Sequence, residues 1–345
     1  MHSSFLNHSA SSRPFLQHSD AYIESSDTED APVSPTDSDS SFDEDEVNRR
    51  ITPFWPKYCH VFRARGFRLE TIKDVKLYYR NSQLTALDAG HRDFPFYSNQ
   101  PDGRDDDALC PDAGIPDNLF RGIRLSDSQR VVVKAVHSKS REYNVICNLS
   151  RPPLRDDPMN HCIPVLDLFE SMDDDIAFII MEEWSSELIP NAGPCCLNVF
   201  LSALRQCIEH IVFMHKHCIA HLDISLRNLL TDYHGHYAYI DYEISRRFDP
   251  SQITLVYNYR GTEVPPECES GEGINPFKVD IWALAVLMLR ACKLAGYWIP
   301  ELMHVIEPML NEVPDRRPSS LGALQIFDKV MSSLGISIGS PCVSH

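Results

Sequence analysis

The spacing of apolar residues changes midway through the chain. Between 119 and 182 they come in short runs of β-branched and aromatic type: FRGIRL, VVVKAV, VLDLF and IAFIIM. Runs of this length and composition predict strands, the first two joined by a Ser-Asp-Ser-Gln turn and the last two by SMDDD. Between the two pairs, REYNVICNL places Val145, Ile146 and Leu149 at helical spacing. From Leu197 onward the period is three to four. LNVFLSALRQCIEHIVFMHKH predicts a long amphipathic helix, and VDIWALAVLMLRAC, IPELMHVIEPMLNEV and SSLGALQIFDKVMSSL predict three more. Strands first and helices after is the order of an α+β architecture, a small sheet lobe on a larger helical one.

Upstream, ITPFWPKYCHVFRARGFRLETI predicts a short helix ending in a turn at Gly66, and the Asp/Pro/Gly-rich residues 98–118 predict a loop. Residues 1–50 differ in kind. They hold eleven acidic residues against three arginines, a net of −8 within a chain total of −17, with few Val, Ile or Leu. Such a segment cannot bury enough apolar surface to offset the entropy of ordering, so it reads as a disordered, acidic, Ser-rich tail. Its SSDTEDAPVSPTDSDSSFDEDE run puts Ser and Thr beside Asp, Glu and Pro. That suits phosphorylation, and equally a solvating tail.

Length and charge narrow the classes. A chain of 345 residues, 43% of them apolar, exceeds what one compact core needs, so two packed lobes are expected. The negative charge argues against a nucleic-acid partner. Eleven cysteines without a CxxC pair, and a start, MHSSFLNHSA, without an apolar segment, predict reduced thiols in cytosol or nucleus. The longest apolar run, Ile281 to Leu289, is too short to span a bilayer and reads as a buried helix. No internal repeat is visible.

The candidate chemistry lies in HLDISLRNLL, residues 221–230, and the IDYEIS that follows. Phosphoryl transfer needs metal on phosphate oxygens, cations against the charge, and a carboxylate near the attacking hydroxyl. Asp223, in a loop after a long helix, offers the carboxylate. Asn228 and Asp241, the latter ending the apolar strand YAYI, offer the oxygen ligands that magnesium prefers. Lys134, the lone charge in VVVKAV, offers a cation for phosphates, and a buried lysine needs a partner, for which Glu142 is placed.

These residues and their neighbours resemble the eukaryotic protein kinase family. HLDISLRN is similar to the catalytic-loop pattern HRDxxxxN, and DYE stands where the family has DFG. GTEVPPE resembles the end of the activation segment, DIWALA the helix whose Asp (here Asp280) braces the catalytic loop, and DRRP the late Arg (here Arg317) that pairs with Glu267. MEEW resembles the adenine-binding hinge, with Met181 as gatekeeper and Glu182 and Trp184 beside the base. The finer texture, in FWPKYCHVFRARGFRL, PPLRDDPMNHCIPVLD, FMHKHCIAHLDIS and NPFKVDIW, resembles the divergent mushroom-type (basidiomycete) fungal kinases. The resemblance implies a two-lobed kinase-like fold, ATP and Mg2+ as cofactors, and a protein substrate, taken as Ser/Thr by default. Asp223 would act as catalytic base, Asn228 and Asp241 as metal ligands, and Lys134, held by Glu142, on phosphates. It implies a division into tail (1–50), N-terminal extension (51–112), sheet lobe and hinge (113–184), helical lobe (185–333) and C-terminal tail (334–345). The partners expected are a protein substrate but neither nucleic acid nor membrane, for a monomer.

Departures from the pattern shape the expectations. The Gly-rich phosphate loop is missing, since NLFRGIRLSDSQ has one Gly. Leu222 replaces the HRD Arg, so control by loop phosphorylation is not expected. Ser225 replaces the catalytic-loop Lys, and Arg227 offers the missing cation, as in tyrosine kinases. Glu243 replaces the Gly of DFG, adding charge and removing a flexible position. Only about eight residues separate the DIWALA helix from the next, so the extra helix that docks substrates is expected to be absent or reduced to a turn. Two alternatives follow: a pseudokinase that binds ATP or acts as a scaffold, and a small-molecule phosphotransferase of aminoglycoside-kinase type, suggested by IDYE. The charge block at 24–46 adds the expectation that the tail folds back on the active site. His215, His217, Cys218 and His221 read as structural rather than metal-binding, because 215 and 217 do not share a helix face. His234 and His236 read as a solvated hairpin turn, Cys195 and Cys196 as ordinary thiols, and the stripe 197–214 as core.

Overall fold

The structure is a computed structural model that describes residues 50–88, 106–189, 196–252 and 254–336. The tail expected before Arg50, most of the C-terminal tail and Cys195 lie outside the described residues. The chain divides into two units, Met1–Phe42 and Asp43–His345, and every described residue belongs to the second.

The sheet lobe begins with helix α1 (Trp55–Ala64) and strand β1 (Phe67–Leu69). Gly66 joins them at φ +87, a left-handed turn open to glycine. Helix α2 (Ile72–Asp88) follows, then β2 (Leu119–Arg124), β3 (Arg130–His137), helix α3 (Arg141–Leu149), β4 (Val165–Ser171) and β5 (Ile176–Glu182). The five strands form an antiparallel sheet in the order β1-β2-β3-β5-β4. Side chains alternate across it with period two. Val131, Val133 and Ala135 of β3, with Phe178 and Ile180 of β5, enter an outer core. Val136 of β3, with Ala177, Ile179 and Met181 of β5, enters the main core on the opposite face, and Val132 packs against it. Lys134 shares the period of Val132 and Val136, and so takes the cleft face.

The outer face is closed by α1. Trp55, Tyr58 and Phe62 are buried there, and the Phe178 ring lies 4.8 Å from Tyr58, 5.1 Å from Phe62 and 6.0 Å from Trp55. Trp55 Nε1 donates to the Asp117 carbonyl at 3.1 Å, and Tyr58 Oη to Asp174 at 2.7 Å. Helix α2 was not anticipated in the sequence. Of its described apolar residues Ile72 and Val75 are half-buried, while Leu77, Tyr78 and Tyr79 are exposed, so no continuous buried stripe is traced.

The helical lobe contains α4 (Leu197–Lys216), β6 (Ile219–Ala220), β7 (Leu229–Thr231), β8 (Tyr237–Tyr239), β9 (Arg246–Arg247), α5 (Pro276–Ala295), α6 (Met303–Met309) and α7 (Ser320–Ser333). Helix α4 is long and apolar enough to cross a membrane by length and composition. Its Phe200, Leu204, Ile208 and Ile211 are instead buried in the main core, which α5 and α7 share. Helix α5 starts where its cap dictates: the Asn275 side chain accepts from the Phe277 and Lys278 amides, with Pro276 at the first position. Between α5 and α6 only a 3-10 turn, Pro300–Leu302, intervenes, so the extra helix expected to be missing is reduced to that turn. The described residues form the two-lobed α+β fold that the order of strands and helices implied.

Because Trp55 fills the centre of the outer core, Trp55→Ala is expected to cost about 3–5 kcal/mol. Chemical denaturation of wild type and variant checks it; a loss below about 1 kcal/mol would mean that α1 is an appendage rather than part of the lobe.

Candidate active site

A lysine on the cleft face of β3 is buried, and its charge must be met there. Lys134 Nζ lies 2.7 Å from Glu142 Oε1 and 3.0 Å from Asp241 Oδ1. Glu142 reaches it because α3 starts at once after β3. The Ser140 side chain caps that helix by accepting from the Tyr143 amide at 3.2 Å, which puts Glu142 in the first turn facing the strand. Asp241 reaches it because its backbone is left-handed, φ +65. Burial works against the Lys134 charge, but the two carboxylates outweigh it and raise its pKa. Burial likewise opposes the Asp241 anion, and the Lys134 cation overcomes this and holds the carboxyl below its usual range. Burial lifts Glu142 above that range.

Asp223 and Asn228 are brought together by the loop between β6 and β7. Asn228 Nδ2 donates to Asp223 Oδ2 at 2.8 Å and to the Asp223 carbonyl at 2.9 Å, leaving Oδ1 as the atom for a cation. Asp223 Oδ1 accepts the Thr262 amide at 2.7 Å. Strands β7 and β8 pair from Leu229↔Tyr239, and the Ile240 amide donates to the Asn228 carbonyl at 3.0 Å. That pairing carries Asn228 and Asp241 to the same end of one hairpin, two hard oxygen donors of the kind magnesium takes.

Asp280 holds the loop from below. Fully buried on α5, its carboxylate accepts the His221 and Leu222 amides, each at 2.8 Å, and faces His215 Nε2 at 2.9 Å. The sequence expectation for Asp280 stands in these contacts, and His215 is its partner. Arg317 and Glu267 are also joined, by two bonds of 2.6 Å with the guanidinium fully buried. Leu222 turns into an apolar cluster with Val256, Ile274 and Val279.

Between the lobes lies a cleft of about 260 Å³. Leu119 and Val132 line it from the sheet, Leu230 and Ile240 from the β7–β8 hairpin, and Met181, Glu182 and Trp184 along its back. Two apolar faces and a strand-end backbone fit a planar base. Among the described residues, the Trp184 N–H and C=O have no backbone partner, and its indole N–H donates to Glu182 at 2.9 Å.

The position assigned to the phosphate loop needs correction. The Ser-Asp-Ser-Gln turn between β2 and β3 is remote from Lys134, because the register pairs Leu119, at the other end of β2, with Lys134. The cleft is lined instead by Ile115, Pro116 and Asn118, the end of the long β1–β2 connection that contains α2. Pro116 has no amide hydrogen, and the Ile115 and Leu119 amides are spent on Asp112 and Pro116 carbonyls. The single glycine of this stretch, Gly122, serves packing: a Cβ there would lie 2.8 Å from the Arg68 carbonyl of the neighbouring strand.

A family model described as the protein kinase domain matches residues 118–298. The chain belongs to the protein kinase domain family. It is similar to CBL-interacting serine/threonine-protein kinase 15 of Arabidopsis thaliana, 33% identical over 96 residues, 27% of this chain and 22% of that protein. It is similar to NUAK family SNF1-like kinase 1 of Homo sapiens, 24% identical over 174 residues, 49% of this chain and 24% of that protein. It is also similar to the bifunctional serine/threonine-protein kinase/NEDD4-like E3 ubiquitin-protein ligase of Dictyostelium discoideum, 30% identical over 89 residues, 25% of this chain and 5% of that protein. The matched part thus spans a quarter or less of the length of these relatives.

Around this site three features went unread in the sequence. Arg50 lines the cleft, 3.9 Å from Glu243. The Thr262 amide binds Asp223, and Gly261 permits this, since a Cβ there would lie 2.3 Å from the Leu222 carbonyl. His210 is a fully buried polar residue inside the apolar stripe of α4. Its Nδ1 accepts the His161 amide at 3.0 Å, so its proton is on Nε2, which donates to Tyr242 Oη at 3.0 Å. Burial holds His210 neutral, well below the usual histidine range. Arg227 is exposed on the 3-10 turn Leu226–Asn228, and the structure gives it no bond to Asp223. His217 packs on Phe213, His236 pairs with Asp232 at 2.6 Å in the β7–β8 turn, and Cys218 is a free thiol.

Glu243 sets a pH dependence. Burial, then the Asp241 carboxylate, raises its pKa. A carboxyl with a raised folded pKa binds its proton more tightly when folded, so stability falls as pH rises through that value. Glu243→Gln is expected to raise the melting temperature at neutral pH and to give no gain below about pH 4. Melting curves across that range check it; a gain independent of pH would remove the charge from the explanation.

Proposed function

We propose that this kinase domain binds ATP with Mg2+ in the interlobe cleft and transfers the γ-phosphate to a protein hydroxyl, Ser or Thr by default. One observation carries the reading: Lys134 bonds Glu142 and Asp241 across the lobes, Asn228 bonds Asp223, and the β7–β8 hairpin, through the Ile240 amide on the Asn228 carbonyl, holds the two groups at one end of the cleft. Magnesium would supply charge neutralisation on the phosphates, with Asn228 Oδ1 and the Asp241 carboxylate to hold it. Lys134 places its cation at the phosphate end. Asp223, oriented by the Thr262 amide and Asn228, presents a carboxylate to the incoming hydroxyl. Arg227, exposed beside Asn228, is the cation we assign to the acceptor side, and it leaves Tyr acceptors open. The names of the relatives support Ser/Thr. The fungal kinase texture, a monomeric state and a cytosolic or nuclear setting with reduced cysteines belong to the same proposal, which includes neither a nucleic-acid nor a membrane partner.

A second reading, a nucleotide-binding scaffold, is favoured by the phosphate end of the cleft. Among the described residues no glycine loop turns amides inward there, and Lys134 already satisfies two carboxylates. The small-molecule phosphotransferase reading is weakened by the Glu267–Arg317 pair and by the family match, both of the protein kinase type.

Labelled ATP with Mg2+ and a basic peptide mixture separates the two readings. Wild type is expected to transfer label, and Asp223→Asn to lose at least about a hundredfold in rate while keeping the ATP-induced rise in melting temperature. A thermal shift without transfer by wild type would establish the scaffold reading instead.

A further inference from the structure

A nucleotide brings several negative charges into the interlobe cleft, and the cations lining it differ in how far they are committed. Among the described residues they are Arg50, Arg121 and Lys134. Lys134 bonds Glu142 and Asp241. Arg121 bonds Glu183 at 2.6 Å and also pairs with Asp112, so it belongs to the hinge end of the cleft. Arg50 is 3.9 Å from Glu243, near the outer limit of an ion pair, and its side chain is 63% exposed. An exposed pair at that separation contributes little and exchanges readily. Glu243 is two residues past Asp241, which puts the Arg50 guanidinium at the phosphate end. The Asp241 carboxylate feels it there: burial opposes the anion, Lys134 chiefly offsets burial, and Arg50 adds to Lys134.

The segment at the position of a glycine loop offers little to phosphates. Pro116 has no amide hydrogen, the Ile115 and Leu119 amides are spent on carbonyls, and the Asn118 side chain donates to the Ala135 carbonyl at 3.3 Å. A guanidinium needs no glycine, because its donors arrive on a side chain, in a planar fork that matches phosphate oxygens two at a time. The backbone beside Arg50 is anchored for this task. Ile51 packs against the outer core, and Trp55, Tyr58 and Phe62 of α1 are buried in it. Arg50 is thus tethered to the sheet lobe while its side chain faces Glu243 of the helical lobe. We propose that Arg50 is a phosphate-binding residue of the cleft, its guanidinium exchanging Glu243 for the phosphate oxygens of the bound nucleotide. The N-terminal extension then supplies the donors that the missing glycine loop does not. The proposal rests on the nucleotide reading of the cleft, and it concerns binding whether or not phosphate is transferred.

Calorimetric titration of the full chain with adenosine, and with ATP and Mg2+, tests it. Salt is held at about 0.15 M, where exposed charges more than about 8 Å apart are largely screened, so a loss reports a near contact. Arg50→Ala is expected to raise the Kd for ATP about tenfold and to leave that for adenosine within about twofold of wild type. Arg50→Lys, which keeps the charge but not the fork, is expected to recover part of the loss. If Arg50→Ala binds ATP as tightly as wild type, the proposal fails and the nucleotide reading stands. Equal weakening of adenosine and ATP means that Arg50 shapes the cleft rather than holding phosphate, and the proposal fails again. It fails too if wild type binds ATP no more tightly than adenosine. If wild type binds neither ligand, the nucleotide reading itself falls and takes the proposal with it. If Arg50→Ala does not fold, Arg50→Gln takes its place in the same comparison.

Discussion

A buried ammonium without a partner costs several kcal/mol, and the site is arranged around avoiding that cost at Lys134. Its two carboxylates come from opposite lobes. Glu142 requires α3 to start immediately after β3 and to pack its Val145, Ile146 and Leu149 against the main core. Asp241 requires a left-handed residue at the end of the β7–β8 hairpin, next to Tyr242, which is held in turn by His210. The salt link is therefore a statement about lobe closure. A nucleotide phosphate bound here would compete with Asp241 for the Lys134 cation, and Asp241, freed from it, would be the carboxylate to hold a metal that neutralised its charge.

Beneath this lies a second layer that serves geometry alone. Asp280 gathers two loop amides and His215, and Arg317 gathers Glu267 and two backbone carbonyls. Both charged groups are buried and bonded to several partners, so removing either strands those partners. An active enzyme and a scaffold need this layer equally. What separates them is the phosphate end of the cleft, where Ile115, Pro116 and Asn118 line the position of a glycine loop, and where Lys134 is bonded to Asp241 with Arg50 also lining the cleft.

Much of this was legible in the sequence, because it rests on local period. The β3 run, the helical spacing of α3, the amphipathic α4 and the linear motifs around Asp223, Asp280 and Arg317 each declare themselves within a few turns or strand residues. Long-range placement was not legible. Nothing local in NLFRGIRLSDSQ says that β1 lies far upstream, at Phe67, so the missing phosphate loop was sought at the wrong end of β2. Helix α2 shows exposed tyrosines rather than a stripe. His210 hides in an apolar face, its role visible only once His161 and Tyr242 are seen on either side. Arg50 is separated from Glu243 by most of the domain.

The same long-range placement changes what the N-terminal stretch is for. Helix α1 is the lid of the outer core, the residue that precedes it by five positions lines the cleft, and the densest acidic run of the chain ends four residues before that. Leu222 packs with Val256, Ile274 and Val279 at the position where the family carries an arginine, so the start of the catalytic loop is held there by apolar packing, while the Asp280 carboxylate fixes its amides from the other side.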